Sequence, residues 1–416
     1  MDSKAQALAS LHAAGLSDIL HVPGSETYST CVPRNTEEVS NAVKVIVAVP
    51  DVKFAVRSGG HMQWTGANSI TYGITIDLGL MDSTTYDTET EIASLQPGGT
   101  WAKSYQELEK RTLPHPPMGA RSPAAAKEKP LPRPKGGRNN FGIVTRFDMT
   151  TFPAVDVWDC VITYAKKAVA LLSEAIVDLT ENLAVYPDDH ILAMWTYLPG
   201  IEEHVVMANM MNVNGVEEPR TLGRFLDIPE QKDRVDMTVS VATKLTSFIV
   251  PSGKYDTWYT LTFKSDPRLI LKSASVFESL ISILKAQVPN LSFHTQMVLQ
   301  PLPVSFGTHS AARGGNMMGL DRINDDCILL VWAVEVDTPE LNANIVGPAL
   351  KGAIEEIEAY ARSINGDDPL GSYGEENVRH MREVASKFDP KGIFQTMVPG
   401  GFKISKAGTD GARERI

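Results

Sequence analysis

Cysteine is scarce in this chain, with three in 416 residues: Cys31, Cys160 and Cys327, widely spaced. That excludes a zinc-binding cluster and a disulfide framework, and leaves open at most one bridge. No apolar run approaches the roughly 20 residues needed to cross a bilayer. The first twenty residues, MDSKAQALASLHAAGLSDIL, have no apolar core of the signal-peptide kind, so a cytoplasmic location is expected. Positive charge is in deficit, with Lys+Arg 39 against Asp+Glu 50 and a net charge of -11. Without a long basic run, nucleic acid and anionic membranes are poor partners. No internal repeat, P-loop or serine nucleophile elbow is present. His190 and His204 are too far apart to form a metal pair.

What is present is an ordinary globular composition, with 43% hydrophobic and 21% charged residues. At about 100–200 residues per domain, the length suits two or three domains. The segment VPRNTEEVSNAVKVIV predicts a helix capped by Asn35 or Thr36. Glu37 and Glu38 lie in its first turn, and Val39, Ala42, Val43 and Ile46 form one apolar stripe. VKFAVRSGGH reads as a strand entering a glycine turn. GITIDLGLM alternates, with Ile74, Ile76 and Leu78 on one face. From 155 to 350, the β-rich runs DCVITYA, HVVMANMMNV, DTWYTLTF and CILLVWAVEV alternate with long helices near 267–287 and 338–363. This pattern predicts an antiparallel sheet backed by helices. Val378, Met381, Ala385 and Phe388 then follow helical spacing.

One stretch breaks the pattern. Residues 113–134, LPHPPMGARSPAAAKEKPLPRP, hold seven prolines and no apolar period. That density prevents both helix and central strand and reads as a solvated linker.

Three glycine turns could carry chemistry. Arg57-Ser58-Gly59-Gly60-His61 follows a strand, and such a corner offers bare backbone amides to a phosphate. Arg57 adds charge, and His61 would stand beside whatever the corner holds; taken alone, it reads as a structural turn histidine. Gly98-Gly99-Thr100-Trp101 reads as a turn before a helix whose tryptophan packs in the core. Gly136-Gly137-Arg138-Asn139-Asn140-Phe141-Gly142-Ile143-Val144-Thr145 either lines a nucleotide or forms a turn. For a general base, His294, His309, Tyr164, Tyr197 and Glu335 are candidates without a distinguishing spacing. Glu375 and Glu376 suit the start of a helix. Met207, Met210 and Met211 read as core or pocket wall rather than metal ligands.

Taken in order, RSGGH, GITIDL, QPGGTW and NNFGIVTRFDMTTFP resemble the FAD-linked oxidoreductases with a PCMH-type flavin domain, of the fungal, berberine-bridge-enzyme-like kind. PLPVSFGTHSAARGGNMMGLD and the closing GSYGEENVRHMREVASKFDPKGIFQTMVPGGFKIS extend the resemblance over nearly the whole chain. It implies an α+β, two-domain fold. The FAD domain would comprise residues 1–153, completed by a C-terminal segment 354–416. An inserted antiparallel-sheet substrate domain, 154–353, would lie over the flavin ring.

The resemblance further implies that Arg57, Ser58, Gly59, Gly60 and His61 cradle the FAD pyrophosphate. His61 is the position for covalent attachment, and the run from Asn140 to Thr145, with Gly142, Ile143 and Val144, passes along the cofactor. The catalytic base is left unassigned. The implied reaction is oxidation of a small organic substrate in secondary metabolism, as alcohol oxidation or oxidative cyclisation, with molecular oxygen reoxidising the flavin.

The chain also departs from that family. Segments are short between Tyr28 and Val32 and between Met118-Gly119-Ala120-Arg121 and Gly136-Gly137. Another is short around Ile364-Asn365-Gly366-Asp367. A glycine-rich flavin-contacting run and the site of a second flavin-attaching cysteine fall in the second gap. A cofactor-free pseudoenzyme that binds or cyclises a metabolite, or an incomplete gene model, are therefore the competing readings.

Overall fold

The computed structural model describes residues 3–21, 29–62, 64–110, 136–151, 155–201, 203–246, 253–365 and 374–406. The proline-rich stretch, Tyr28 and the GSY of the closing motif lie outside them. The chain forms two units: Met1–Ala154 with Arg313–Gly319 and Ser372–Ile416, and Val155–Ala312 with Leu320–Gly371.

The first unit opens with α1 (Ser3–Ala13), β1 (Leu20–His21), β2 (Thr30–Cys31) and α2 (Thr36–Val47). Asn35 is the α2 cap, its side chain accepting from the Glu38 amide. The buried stripe is Val39, Ala42 and Ile46. β3 (Phe54–Arg57) and β4 (Ile74–Asp77) follow. These strands order β1-β2-β4-β3, with β2 and β3 both parallel to β4. β5 (Thr84–Asp87), β6 (Ile92–Leu95) and β7 (Phe147–Thr150) make a separate antiparallel sheet. α3 (Trp101–Glu109) is capped by Thr100. Trp101 itself is 52% exposed, so the expected core aromatic is a surface residue. It occupies the first helical position, while the buried face runs through Ser104 and Leu108.

The second unit is a seven-stranded antiparallel sheet. Its strands are β8 (Val157–Tyr164), β9 (Asp189–Tyr197), β10 (Val205–Asn212), β11 (Gln231–Val239), β12 (Tyr255–Lys264), β13 (Phe293–Leu302) and β14 (Cys327–Val336). They order β11-β8-β10-β9-β13-β14-β12. Its helices are α4 (Val169–Asn182), α5 (Gly223–Leu226), α6 (Val241–Thr246), α7 (Pro267–Gln287), α8 (Val304–Ala311), α9 (Pro339–Leu341) and α10 (Gly347–Asn365).

Strict alternation on β13 and β14 turns Phe293, Met297, Leu299, Leu330, Trp332 and Val334 into a core shared with α4, α7 and α10. Each such large side chain contributes about 1.5–3 kcal/mol on burial. α10 belongs to this core through Leu350, Ile354 and Ile357. Residues 354–365 therefore fall with the sheet unit, not with the closing segment expected from 354.

The tail then supplies α11 (Glu375–Phe388) and α12 (Ile393–Thr396) to the first unit. Phe394 meets Phe54 edge-on at 6.2 Å, and the Phe54 amide donates to the Met397 carbonyl at 2.9 Å. All three cysteines are free and buried. Burial pushes the thiols of Cys31 and Cys160 up to about 12 and that of Cys327 to about 11. They are inert packing groups.

Candidate functional site

β3 ends at Arg57, and the next four residues, Ser58 to His61, are all exposed. Gly60 sits at φ +73, where a side chain would be strained. Gly59 does not, and no described atom lies within 4 Å of where its Cβ would stand. The space beside Gly59 is therefore open among the described residues. An extended strand running into such a turn presents amides without side-chain cover, which suits a dinucleotide diphosphate.

Two residues missed by sequence reasoning build this corner. Asp77 stands opposite Arg57 in the β3–β4 register. It accepts from Arg57 Nε at 3.2 Å and more closely from Nη2, and its other oxygen takes the Gly79 amide at 3.0 Å. The guanidinium is thus held at the strand end with its charge compensated. The signal was legible, because the alternation of GITIDL leaves Asp77 off the apolar face. The second residue is half-buried Asn68, whose amide donates to the carbonyls of Gly60, at 2.9 Å, and of Met62. Nothing in the sequence singles it out.

The second predicted segment divides. Gly142 has open space beside it, Ile143 packs on the first unit's core, and Val144 is 44% exposed. Asn140 is fully buried. Its amide donates to Gly137 and Phe402 carbonyls at 3.0 and 2.9 Å. Its carbonyl accepts from Gln395 Nε2 at 3.0 Å and the Ile404 amide at 3.2 Å. The Asn140 side chain is consumed in holding the tail. Its neighbour Asn139 donates to the Gly400 carbonyl at 2.8 Å. A Cβ on Gly400 would fall 2.2 Å from the Ala67 nitrogen. The tail glycines therefore lie directly against the loop that follows His61.

The second unit has its own polar surface, on the sheet face turned away from α4 and α7. There His294 on β13, Glu335 on β14 and Asp256 on β12 form one cross-strand row. Burial holds the His294 imidazole below its usual range despite Glu335 and Asp256. It is therefore neutral near pH 7, and Nε2 is buried with no hydrogen-bond partner among the described residues. Burial raises the Asp256 carboxyl. Towards the β8 side of the same face, Lys244 of α6 pairs with fully buried Asp159 at 2.5 Å. Asn209 donates to that aspartate at 3.3 Å.

The other base candidates lie elsewhere. Tyr164 is buried and donates to the Phe225 carbonyl. Tyr197 is buried against Phe293, and His309 is exposed on α8.

A model of the FAD-binding domain family matches residues 29–126, which include the Arg57–His61 corner. The chain is 29% identical to the FAD-dependent monooxygenase drtC of Aspergillus calidoustus, over 91% of this chain and 83% of that protein. It is 28% identical to the FAD-dependent monooxygenase sdcF of Emericella nidulans, over 90% of each. The first alignment runs over 443 positions, more than the 416 residues present here, so that relative carries internal stretches this chain lacks.

The fold is similar to that of berberine bridge enzyme from Eschscholzia californica, at TM-score 0.64 and 12% identity, over 95% of this chain and 100% of that one. It is also similar to that of xylooligosaccharide oxidase from Myceliophthora thermophila, at TM-score 0.64 and 15% identity, over 94% and 98%. With an FAD-domain match over the Arg57–His61 corner, relatives named as FAD-dependent enzymes, and the fold of berberine bridge enzyme along nearly its whole length, the chain is an FAD-linked oxidoreductase.

Proposed function

We propose that the corner from Arg57 to His61 holds the FAD diphosphate and that His61 tethers the flavin. The protein would then oxidise a small organic metabolite with molecular oxygen as the final acceptor. Bound FAD supplies a two-electron acceptor that no side chain of the chain can replace. The observation that carries the reading is the exposed double-glycine corner, in which Gly59 faces open space and Gly60 takes a backbone conformation suited to glycine. Arg57, already paired with Asp77, shapes the strand end, so the amides supply most of the anion binding. The residues proposed to run beside the cofactor are Gly142, Ile143 and Val144.

The chain's own chemical task is to take a proton from the substrate. The open-face row of the second unit is suited to it. Neutral His294 accepts the proton, and Glu335 and Asp256 stabilise the imidazolium that results. The relatives named as FAD-dependent monooxygenases, all fungal, support a role in secondary metabolism. Substrates in that reading are alcohols, or small metabolites that close a ring on oxidation. The alternative of a chain that has shed its flavin is not favoured, because the FAD-domain match covers the corner and the relatives are named as FAD-dependent enzymes.

The test is the colour of the purified protein. It should be yellow, and the yellow should stay with the protein through acid precipitation. A His61→Ala variant should be yellow when native and colourless after acid. Acid-stable flavin in that variant would remove the tether from His61.

A further inference from the structure

We infer that Asn68 is a positioning residue for the cofactor, aiming the backbone amide of His61 into the corner. The inference rests on the reading that the Arg57–His61 corner holds the FAD diphosphate. Asn68 lies beyond the turn, eight residues from Gly60 in sequence, yet its one amide nitrogen donates to two carbonyls, Gly60 O at 2.9 Å and Met62 O. Those carbonyls flank His61 on either side.

A trans peptide is planar, so its C=O and N–H point in opposite directions. Drawing the Gly60 carbonyl towards Asn68 therefore turns the His61 N–H away from Asn68. The Met62 carbonyl lies one peptide beyond the His61–Met62 link, so anchoring it restrains the chain just past His61.

Gly60 makes the anchor necessary. At φ +73 a glycine has nearly equal access to several backbone conformations, and the turn would lose its amide direction without a restraint. Asn68 is itself steadied. The Ala67 amide before it donates to the Trp64 carbonyl at 3.0 Å. Gly400 closes on Ala67 so tightly that a Cβ there would meet the Ala67 nitrogen at 2.2 Å. The chain of restraint runs from the tail through Ala67 and Asn68 to the corner. Asn68 touches neither substrate nor reacting atoms in this scheme; it acts through His61.

The test is FAD titration by flavin fluorescence on full-length protein carrying His61→Ala, so that binding is reversible. Asn68→Asp, of the same shape but without the donors, should weaken FAD binding about tenfold, as expected for two lost hydrogen bonds. It should also alter the visible spectrum of the bound flavin. Asn68→Ser, which keeps one donor, should fall between the two. Apoprotein melting of each variant reports folding separately, and the Ser variant carries the test if the Asp variant does not fold.

Gly59→Asp is the control on the underlying reading. It places a carboxylate where there is open space and no positive φ, so it should fold normally and lose FAD. If Gly59→Asp abolishes binding while Asn68→Asp and Asn68→Ser bind like the parent, the role of Asn68 is overturned and the corner stands. If Gly59→Asp binds FAD like the parent, both fall together.

Discussion

Arg57 and Asp77 end adjacent parallel strands at the same level, and the aspartate holds the guanidinium through both Nε and Nη2. The only charged side chain of the RSGGH motif apart from the histidine therefore meets its counter-charge within the fold. On the proposed reading, a cofactor diphosphate at this corner would be bound mainly by amides, whose strength depends little on ionic strength. FAD affinity in the His61→Ala background should fall only slightly between low and high salt. Asp77→Asn exposes the arginine charge, so it should make FAD binding clearly salt-dependent. It should also cost about 1–2 kcal/mol in urea unfolding, since the pair is only partly buried. An unchanged salt profile in Asp77→Asn would mean that Arg57 is not beside the diphosphate.

The tail is fastened by Asn140, which satisfies both donors and its carbonyl inside the protein. Asn140→Ala would leave the carbonyls of Gly137 and Phe402 and the Ile404 amide short of partners. The expected loss is about 2–4 kcal/mol by denaturant unfolding. Gly400→Ala drives a methyl into the Ala67 backbone, and backbone cannot rotate aside. It should destabilise comparably and weaken FAD binding through the loop carrying Asn68. A Gly400→Ala protein with parental melting and FAD affinity would show that the tail does not brace the corner.

These relationships explain what could be read from the sequence. The Asn35 cap and the 267–287 helix were legible because both signals are local. The strands at 157–164, 205–212, 255–264 and 327–336 were legible from their β-rich runs. β11, β9 and β13 escaped for separate reasons. Lys232, Asp233, Arg234 and Asp236 make β11 read as solvated chain, although an edge strand tolerates such charge. β9 and β13 carry His190, His294, Gln296 and Pro301, and only pairing with neighbours reveals their two faces. The turn after β3 was readable because two adjacent glycines end a strand. Asn68 and Asn140 were not, because their partners are chosen by the tertiary fold. The same holds for the row of His294, Glu335 and Asp256, which are far apart in sequence and adjacent only in strand register.

Acid stability offers a separate test. Burial lowers the pKa of His190, His204 and His294. For His204 the folded value is about 4. Burial leads there, with Lys166 and Lys285 adding to it against Glu203. Glu278 is 3.7 Å away, but Lys166 shares it at 3.9 Å, and Phe277 covers the ring edge-on. A depressed folded pKa means that the unfolded chain binds the proton first. The stability from neutral His204 is full above about 6.5, the ordinary histidine value, and is lost as pH falls towards 4. Urea unfolding should weaken steadily across that window, with His204 accounting for about 2–3 kcal/mol. His204→Gln should flatten the slope while lowering stability at pH 7. An unchanged slope would mean that His204 is solvated in the native state.

His294 and Glu335 face each other across β13 and β14, and the lowered pKa of the histidine makes it a base at neutral pH. Turnover should then require the imidazole in its neutral form. The pH profile of kcat/KM should fall on the acid side with an apparent pKa below the ordinary histidine value of about 6.5. His294→Ala should reduce kcat by about 100-fold or more, the scale of a lost general base, while leaving the flavin spectrum and its acid-stable fraction intact. Glu335→Gln removes the nearest carboxylate that favours the imidazolium. The acid limb should therefore move to still lower pH, with a smaller loss of rate. If His294→Ala retains parental kcat and the acid limb persists, proton removal belongs to another residue, and the row is part of the sheet's packing alone.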